Sequence, residues 1–168
     1  DYRRQRIPNP KQQQAIDDML RTLGDDADLK MDSFSQTLRY LRGNLSKLVK
    51  TSLDYQQAKM NQDFPSMTLA LMQEINTVMN VQNPSAEFTS KNVSVDELGM
   101  IHVKMQQTYM DIPVYGAEVG VHFDANHNPI QISGVYTSSP SHIANVQQKI
   151  TSGSAVALAK EAISMGGN

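Results

Sequence analysis

Two of the four histidines in the chain, His102 and His122, have the spacing that most directly suggests chemistry. A turn of five residues, Met110 to Val114, would pair Tyr109 with Tyr115 and set the two histidines opposite each other on neighbouring strands. Their Cβ atoms would then lie ~5 Å apart, close enough for both imidazoles to hold one metal ion. The alternative is that they pair or hydrogen-bond as ordinary surface residues. We favour that alternative because no third ligand is evident, and we predict no metal site in this chain.

The chain contains none of the common hydrolase motifs. It has no HExxH, no GxSxG, no phosphate-binding loop and no cysteine. These motifs supply the zinc-binding helix, the serine nucleophile, the phosphate cradle and the thiolate of the enzymes that use them. We therefore predict that the chain has no catalytic residues and is not itself an enzyme. The lack of cysteine also excludes disulfides and thiolate metal sites.

The composition is that of an ordinary globular protein. Of the 168 residues, 39% are hydrophobic and 19% are charged, which is enough apolar material for a core and too little charge for a disordered chain. The net charge of −2 would not attract nucleic acid or anionic lipid, and no apolar run approaches the ~20 residues of a membrane helix. We expect a monomer with no nucleic-acid or membrane partner. Because the chain begins at Asp1 without an initiator Met or an apolar leader, we expect either a trimmed chain or a processed product, with no signal peptide in it.

Residues 1–85 are predicted to form a mainly helical first region. Asn9 and Pro10 mark a helix start, because Asn is a good N-cap residue and Pro suits the first helical position. Gly24 is expected to end this helix. The apolar residues between these positions share one face that would pack on the core. They are Ile16, Met19, Leu20 and Leu23.

Two further helices are predicted in the same region. One begins near Asp32 and carries apolar residues at steps of three and four, the spacing of an amphipathic helix. These residues are Phe34, Leu38, Leu41, Leu45 and Leu48. The other runs from Ser66 to about Asn80 and ends before Asn83-Pro84, since the residue before a proline is disfavoured in a helix.

Residues 86–140 change to an alternation of apolar and polar residues, which predicts three short strands. The two turns that join them fall near Met110-Asp111 and over Asp124 to Asn128. Each strand has one apolar and one polar face, so we expect an antiparallel sheet that is covered on one side only. The flanking helices are the expected cover. The predicted fold is therefore α+β: a helical N-terminal region followed by an antiparallel β-meander packed against helices, broadly cystatin-like.

Some side chains of this meander have predicted structural roles. Gln107 would point to the apolar side of the sheet, where its amide needs a hydrogen-bond partner. We favour loop backbone for that role over direct recognition of another protein. Tyr109 and Tyr115 are interpreted as anchors at the edge of the core, beside the turn. Pro113 lacks a backbone donor, which suits an edge strand.

Residues 141–168 are predicted to begin as a loop headed by Pro140. A helix is expected from Thr151, with Ala155, Leu158, Ala159 and Ala162 on its small apolar side. Gly166-Gly167 is expected to end it. The chain thus divides into three predicted regions, over residues 1–85, 86–140 and 141–168.

The segment MIHVKMQQTYMDIPVYGAEVGVHFD resembles the fungalysin/thermolysin propeptide domain of secreted zinc metalloproteases. The likeness rests on an Asp- and Gly-marked entry, a His, a Gln-Gln-Thr-Tyr run, an Ile-Pro-Val-aromatic-Gly turn, and a His before the next acidic turn. The motif positions, which would set the hairpin or contact a protease, are His102, Gln106, Gln107, Tyr109, Pro113, Tyr115, Gly116 and His122. The family's turn usually carries Gly at the position of Asp111, and Asp tolerates the left-handed conformation better than most residues. The tail ITSGSAVALAKEAI resembles the first helix of a PepSY domain.

The resemblance implies that the chain is the N-terminal propeptide of a secreted thermolysin-like zinc metalloprotease. Such propeptides act as intramolecular chaperone and inhibitor of their protease until they are cleaved off. The implied partner is the cognate catalytic domain, and the implied location is secreted or periplasmic. The resemblance implies no cofactor in this chain, with zinc and calcium confined to the protease domain. Two alternatives are a stand-alone cell-envelope binding or inhibitor module and a small-ligand or metal binder on the polar face of the sheet.

Overall fold

The structure, a computed structural model, describes residues 9–140 and 151–165. The helices of this part are α1 (Pro10–Leu23), α2 (Leu53–Met60), α3 (Phe64–Glu74), α4 (Asn76–Met79), α5 (Pro84–Glu87) and α6 (Ser152–Met165). The strands are β1 (Asp28–Met31), β2 (Leu38–Arg42), β3 (Phe88–Val95), β4 (Ile101–Tyr109), β5 (Ile112–Phe123) and β6 (Pro129–Val135). A 3₁₀ turn, Leu45–Lys47, precedes α2. The predicted loop over 141–150 and the predicted helix stop at Gly166-Gly167 lie outside the described residues.

The strands form one antiparallel sheet in the order β1-β2-β6-β5-β4-β3. Strands β4, β5 and β6 are the predicted meander, and β2 pairs with β6, so a hairpin from the N-terminal region extends the same sheet. On one face, Val103, Val121, Ile132 and Leu41 form a row across four strands and are at most 1% exposed. The opposite face is polar. The predicted α+β class with a one-sided antiparallel meander is therefore confirmed.

Helix α1 begins and ends where the sequence predicts. The Asn9 side chain accepts a hydrogen bond from the backbone N–H of Gln12 (2.8 Å), which satisfies one free donor of the first turn. Gly24 follows the helix with a φ of +91°, a conformation that favours glycine. The buried Gln12 amide donates to the carbonyls of Gln36 (2.8 Å) and Val78 (3.0 Å), so it ties α1 to the β1–β2 turn and to α4.

The second predicted helix is wrong, because the chain after Asp32 forms the turn and second strand of a hairpin. Asp32 Oδ1 accepts from the backbone N–H groups of Phe34 (2.9 Å) and Ser35 (2.7 Å), a local alternative to helical hydrogen bonding. Gly43 has a φ of +155°, which a helix does not allow. Strand β2 gains pairing with β6 and buries Leu41 completely, so tertiary contacts override the helical spacing.

The third predicted helix is confirmed in place but is divided in two. Helix α3 begins earlier than predicted, at Phe64, because the Asp63 side chain accepts from the backbone N–H of Ser66 (3.1 Å). Ile75 interrupts the helical conformation with a φ of −109°, and α4 follows it. The left-handed Asn80 (φ +60°) then ends the segment at the predicted residue. Elements β1, α2, α5 and β3 were not predicted.

The helices cover the apolar face of the sheet, and methionine fills much of the space between them. The fully buried methionines are Met67, Met72, Met79 and Met105. Phe88, at the start of β3, packs edge-to-face on Tyr136, with ring centroids 5.9 Å apart. The Tyr136 hydroxyl accepts from the backbone N–H of Leu38 (2.9 Å) and donates to the Met79 carbonyl (3.1 Å). One buried side chain thus joins β2, α4 and the segment after β6.

The predicted C-terminal helix is confirmed as α6. Thr151 Oγ1 accepts from the backbone N–H of Ser154 (3.2 Å), which places Thr151 as its N-cap. Every side chain from 152 to 164 is exposed. The assignment of this helix to a PepSY domain stays a prediction. Within residues 9–140 and 151–165, none of the helices has the length and apolar character needed to span a bilayer.

Candidate functional site

His102 and His122 lie opposite each other on the polar face of β4 and β5, as the sequence predicts. Their ring centroids are 4.8 Å apart, and the two Nδ1 atoms are separated by 2.6 Å. At that distance the two nitrogens form a hydrogen bond, in which one carries the hydrogen and the other accepts it. The pair is therefore a hydrogen bond between two imidazoles, which agrees with the favoured interpretation of paired surface residues.

Asp96 extends this pair into a chain of three groups. Its Oδ1 accepts from the backbone N–H groups of Leu98 (2.9 Å) and Met100 (3.0 Å), and its Oδ2 lies 2.8 Å from His102 Nε2. These hydrogen bonds, that of His102 foremost, hold the pKa of Asp96 below its usual value, so the carboxylate is ionised near neutral pH. Since an ionised carboxylate only accepts, His102 Nε2 carries a proton. When both rings are neutral, His102 Nδ1 accepts the hydrogen bond from His122 Nδ1–H. The Nε2 atom of His122 then carries no proton and can only accept.

The surroundings of this chain are polar and charged. A concave space of about 420 Å³ lies over it, lined in part by Ser94, Lys104, Glu118 and Ser133. The Glu118 carboxylate pairs with Lys91 and lies 3.5 Å from the Lys104 ammonium, and the Lys91 contact is the main cause of its lowered pKa. Within residues 9–140 and 151–165, no three His, Cys, Asp or Glu side chains converge on a position for a metal ion. The two imidazoles are hydrogen-bonded to each other and, through His102, to Asp96, and the predicted lack of a metal site stays a prediction.

We predict that acidification through the ordinary histidine range destabilises the fold because of His122. Burial, and then the electrostatic effect of the neighbouring His102, hold the pKa of His122 below its usual 6.5. Above about pH 6.5 the residue is neutral in the folded and the unfolded chain, so its contribution to stability is complete. Below that pH the unfolded chain binds the proton more readily, and stability falls until the lower folded pKa is passed. Urea unfolding at a series of pH values from about 8 to about 5 measures this loss.

Two variants separate His122 from the other histidines. His122→Gln removes the titrating group and should flatten the profile over this range. His127→Asn is the control, because His127 lies in the β5–β6 turn with a φ of +64° that Asn tolerates, and it should keep the wild-type fall. A flat wild-type profile, or a His122→Gln profile as steep as the wild type, would show that His122 is not the responsible group.

Gln107 points to the apolar side of the sheet and finds its partner in loop backbone, as the sequence predicts. Its side chain is 2% exposed. Oε1 accepts from the backbone N–H of Thr137 (3.0 Å) and from its hydroxyl (3.2 Å), and Nε2 donates to the Thr137 carbonyl (2.8 Å). One amide therefore satisfies both backbone groups of a residue beyond the end of β6, and so fixes where the chain leaves the sheet.

The predicted five-residue turn between β4 and β5 is wrong. Tyr109 pairs with Ile112, not with Tyr115, across a two-residue turn of Met110 and Asp111. Both turn residues have left-handed φ, +48° and +64°, which matches the twist of a two-residue hairpin. Asp111 thus adopts the conformation expected at the position where the family usually has Gly. Tyr109 is half-buried.

Beyond this turn, β5 carries a wide bulge. Thr108 pairs with Pro113 and Gln106 pairs with Glu118, so β4 advances by two residues while β5 advances by five, leaving three extra residues in β5. Gly116, inside the bulge, has a φ of +70° that favours glycine. Strand β6 pairs with β5 only from Glu118 onward, so Pro113 lies where β5 is an edge. The three extra residues offset the shorter turn and bring the two histidines back into register.

The Gln106 side chain holds this bulge together. Its Nε2 lies within hydrogen-bond distance of the carbonyls of Val114 (2.8 Å), Ala117 (3.0 Å) and Gln107 (3.0 Å). The amide therefore supplies a hydrogen-bond donor to backbone carbonyls within the bulge and on the strand opposite it. As a consequence, Tyr115 is directed outward and is 104% exposed. The interpretation of Tyr115 as an anchor at the edge of the core is therefore wrong.

Sequence reasoning missed three residues on which this arrangement depends. Asp96 fixes the tautomer of His102, Thr137 receives Gln107, and Gly134 allows β6 to approach β5 closely. The Asp-x-x-Gly pattern from Asp96 to Gly99 is a turn signal that could have placed Asp96. No local signal connects Gln107 with Thr137, because they are brought together only by the fold.

One comparison with known families identifies the region that contains this site. Residues 86–136 match the model of the Fungalysin/Thermolysin Propeptide Motif. The matched residues extend from α5 to just beyond β6, and so include the histidine pair, both glutamines and the bulge. No curated protein matches the chain significantly. Residues 86–136 are therefore similar to the fungalysin/thermolysin propeptide motif, and this similarity supports a propeptide of a thermolysin-like protease.

Proposed function

We propose that the chain acts as the propeptide of a thermolysin-like zinc metalloprotease, both as intramolecular chaperone and as inhibitor of the cognate catalytic domain. The observation that carries the proposal is the family match over residues 86–136, which coincides with four complete neighbouring strands of the sheet. The motif glutamines of this region hold the backbone in place, and so support a role in shaping a binding surface.

The physical basis for the two activities is the same binding energy. A surface that binds the folded protease and not the unfolded chain stabilises the folded state in proportion to the logarithm of its concentration over its Kd. If the surface also binds the transition state for folding, it speeds a step that the mature protease performs slowly. The same surface inhibits the enzyme as long as it stays bound.

The remaining features of the proposal follow from this role. The partner is the catalytic domain of the protease, and zinc and calcium belong to that domain. The chain itself acts as a monomer without a cofactor. The location is secreted or periplasmic, where thermolysin-like proteases act. Sequencing the gene beyond Asn168 and finding an HExxH motif would identify the cognate enzyme, whereas a stand-alone module would have no protease attached.

We predict that the purified chain inhibits the mature cognate protease with a 1:1 end point. A complex of ordinary size buries about 1,600 Å² in total, which allows tight binding by a preformed surface. The measurement is a titration of peptidase activity at fixed enzyme concentration, accompanied by calorimetry for stoichiometry. A serine protease serves as the control and should be unaffected. Undiminished activity with the chain in tenfold excess would argue for the stand-alone module.

A further inference from the structure

An apolar cluster at the tip of the β4–β5 hairpin is partly exposed to solvent. We call it the hairpin tip and define it as Tyr109, Met110, Ile112, Val114 and Tyr115. Met110 and Ile112 are about half exposed, and Tyr115 is fully exposed. A cavity of about 340 Å³ opens beside it and is lined mainly by apolar atoms; Tyr109, Val114, Pro140, Gln107 and Thr137 are among its lining residues. Large exposed apolar clusters of this kind mark interaction sites on soluble proteins.

The backbone under the hairpin tip is fixed by specific polar contacts. Gln106 donates to carbonyls on both sides of the bulge, and Gln107 fixes the neighbouring segment at Thr137. Left-handed φ values at Asp111 and Gly116 set the two ends of the protruding segment. Bulges re-aim side chains, and this one directs a tyrosine away from the core. A preformed tyrosine loses little conformational entropy on binding, and Tyr is among the residues that dominate binding energy at interfaces.

The charge around the hairpin tip indicates the chemistry of its occupant. The segment from 105 to 140 contains Asp111, Glu118 and Asp124 but no Lys or Arg. Glu118 is already paired with Lys91, whereas Asp111 lies in the exposed turn at the tip itself. Glu87 adds a second carboxylate at the wall of the cavity. The surface is therefore apolar at its centre and acidic at its border, and complements a partner with the same apolar centre and a basic border.

We propose that the hairpin tip docks onto the protease, with Tyr115 and Ile112 against an apolar depression of the enzyme. An apolar side chain of the enzyme enters the cavity, and Lys or Arg side chains of the enzyme lie next to Asp111. This inference rests on the proposed function, because it names the surface through which the chain binds its enzyme. It also gives the bulge a role, since without the three extra residues of β5 the Tyr115 ring would follow the ordinary alternation of the strand.

The test compares exposed apolar residues at the hairpin tip with one elsewhere. Tyr115→Ser and Ile112→Ser should each weaken inhibition of the cognate protease at least tenfold. The matched control is Leu53→Ser at the start of α2, where the side chain is 84% exposed, and it should inhibit like the wild type. All three variants should keep an unfolding midpoint close to that of the wild type, because each changes a side chain that is at least half exposed.

Asp111→Asn tests the charge independently of the apolar contact. Asn tolerates the left-handed φ of the turn as well as Asp does, so the hairpin is retained while the charge is removed. The affinity should fall several-fold at low ionic strength, and the difference from the wild type should disappear at about 1 M salt, where charges are screened within about 3 Å. An unchanged affinity at low salt would overturn the basic border assigned to the partner.

The outcomes separate this inference from the proposed function. If the wild-type chain inhibits and Tyr115→Ser and Ile112→Ser inhibit equally well, the docking surface lies elsewhere and the inference is overturned, while the proposed function stands. If the wild-type chain does not bind the protease at all, the proposed function is wrong, and the inference that rests on it is overturned with it. If sedimentation shows a dimer of this chain that Tyr115→Ser dissolves, the hairpin tip covers a second copy, and docking onto the protease is overturned.

Discussion

Replacing Gly134 by Ala should lower the free energy of unfolding by about 3 kcal/mol, the upper part of the range for overpacked positions. A Cβ at this position in β6 would lie 2.9 Å from Val119 Cα and 3.0 Å from Val119 Cγ2, and closer still to the carbonyl oxygen of Glu118. Two of these three atoms belong to the backbone of β5 and cannot move away without separating the strands. For a chain of this size the loss corresponds to a midpoint shift of roughly 6–12 °C.

The control for this substitution is Gly120→Ala, on the neighbouring strand of the same sheet. The nearest atoms to an added Cβ there are His122 Nε2 and Ser133 O, both at 3.8 Å, which is ordinary van der Waals contact. This variant should be unchanged or more stable by up to about 1 kcal/mol, because Ala restricts the unfolded chain more than Gly does. Equal midpoints for the two variants in thermal unfolding would show that β6 does not approach β5 as closely as the structure has it.

Replacing Gln107 by Glu should destabilise the fold by about 3 kcal/mol at neutral pH. The substitution puts a carboxylate oxygen where Nε2 now donates to the Thr137 carbonyl, in a side-chain position that is 2% exposed. The folded chain would therefore raise the pKa of the new Glu above the value of about 4.3 in the unfolded chain. A raised folded pKa means that stability is complete below about pH 4.3 and is lost as pH rises through the folded pKa.

The measurement is a pair of urea unfolding series, one at about pH 7 and one near pH 4. Relative to the wild type at the same pH, Gln107→Glu should recover most of its lost stability at the lower pH, where the protonated acid can again donate to Thr137. Gln57→Glu, at an exposed position of α2, is the control and should differ little from the wild type at either pH. A Gln107→Glu variant as stable as the wild type at neutral pH would mean that the contacts with Thr137 contribute nothing.

The meander could be predicted because its residues alternate strictly between the two faces. Val103 and Val121 lie on the buried face while His102 and His122 lie on the polar one, and a period of two has no competing interpretation over strands of this length. The histidine pairing was predicted correctly from an incorrect turn. The real turn is shorter, and the three extra residues of the bulge restore the same pairing.

The β1–β2 hairpin and β3 could not be predicted in the same way. Leu38 and Leu41 stand at a helical spacing, but in the sheet Leu38 pairs with Met31 of β1 and Leu41 pairs with Ile132 of β6, a strand far along the chain. Strand β3 shows no alternation because it is an edge strand, exposed on both faces after Phe88. Local pattern carries no information about such long-range contacts.

The candidate site shows the same division between local and long-range information. Gln107 was predicted to face the apolar side because side chains alternate between the two faces along β4. Its need for a polar partner followed from its burial on that face. The identity of its hydrogen-bond partner, Thr137, depends on where the chain leaves β6, which the local sequence does not indicate. The outward direction of Tyr115 depends on the bulge, which in turn depends on the amide of Gln106, a contact that spacing does not indicate.

The measurement that tests the account most directly is refolding of the denatured cognate protease in the presence and absence of this chain. Recovered peptidase activity is assayed after the chain has been removed by proteolysis, so that inhibition does not conceal folding. Equimolar chain should raise the rate or yield of refolding at least tenfold, whereas an equal concentration of an unrelated globular protein should not. The same low recovery with and without the chain would contradict its role as a propeptide that folds and restrains a thermolysin-like protease.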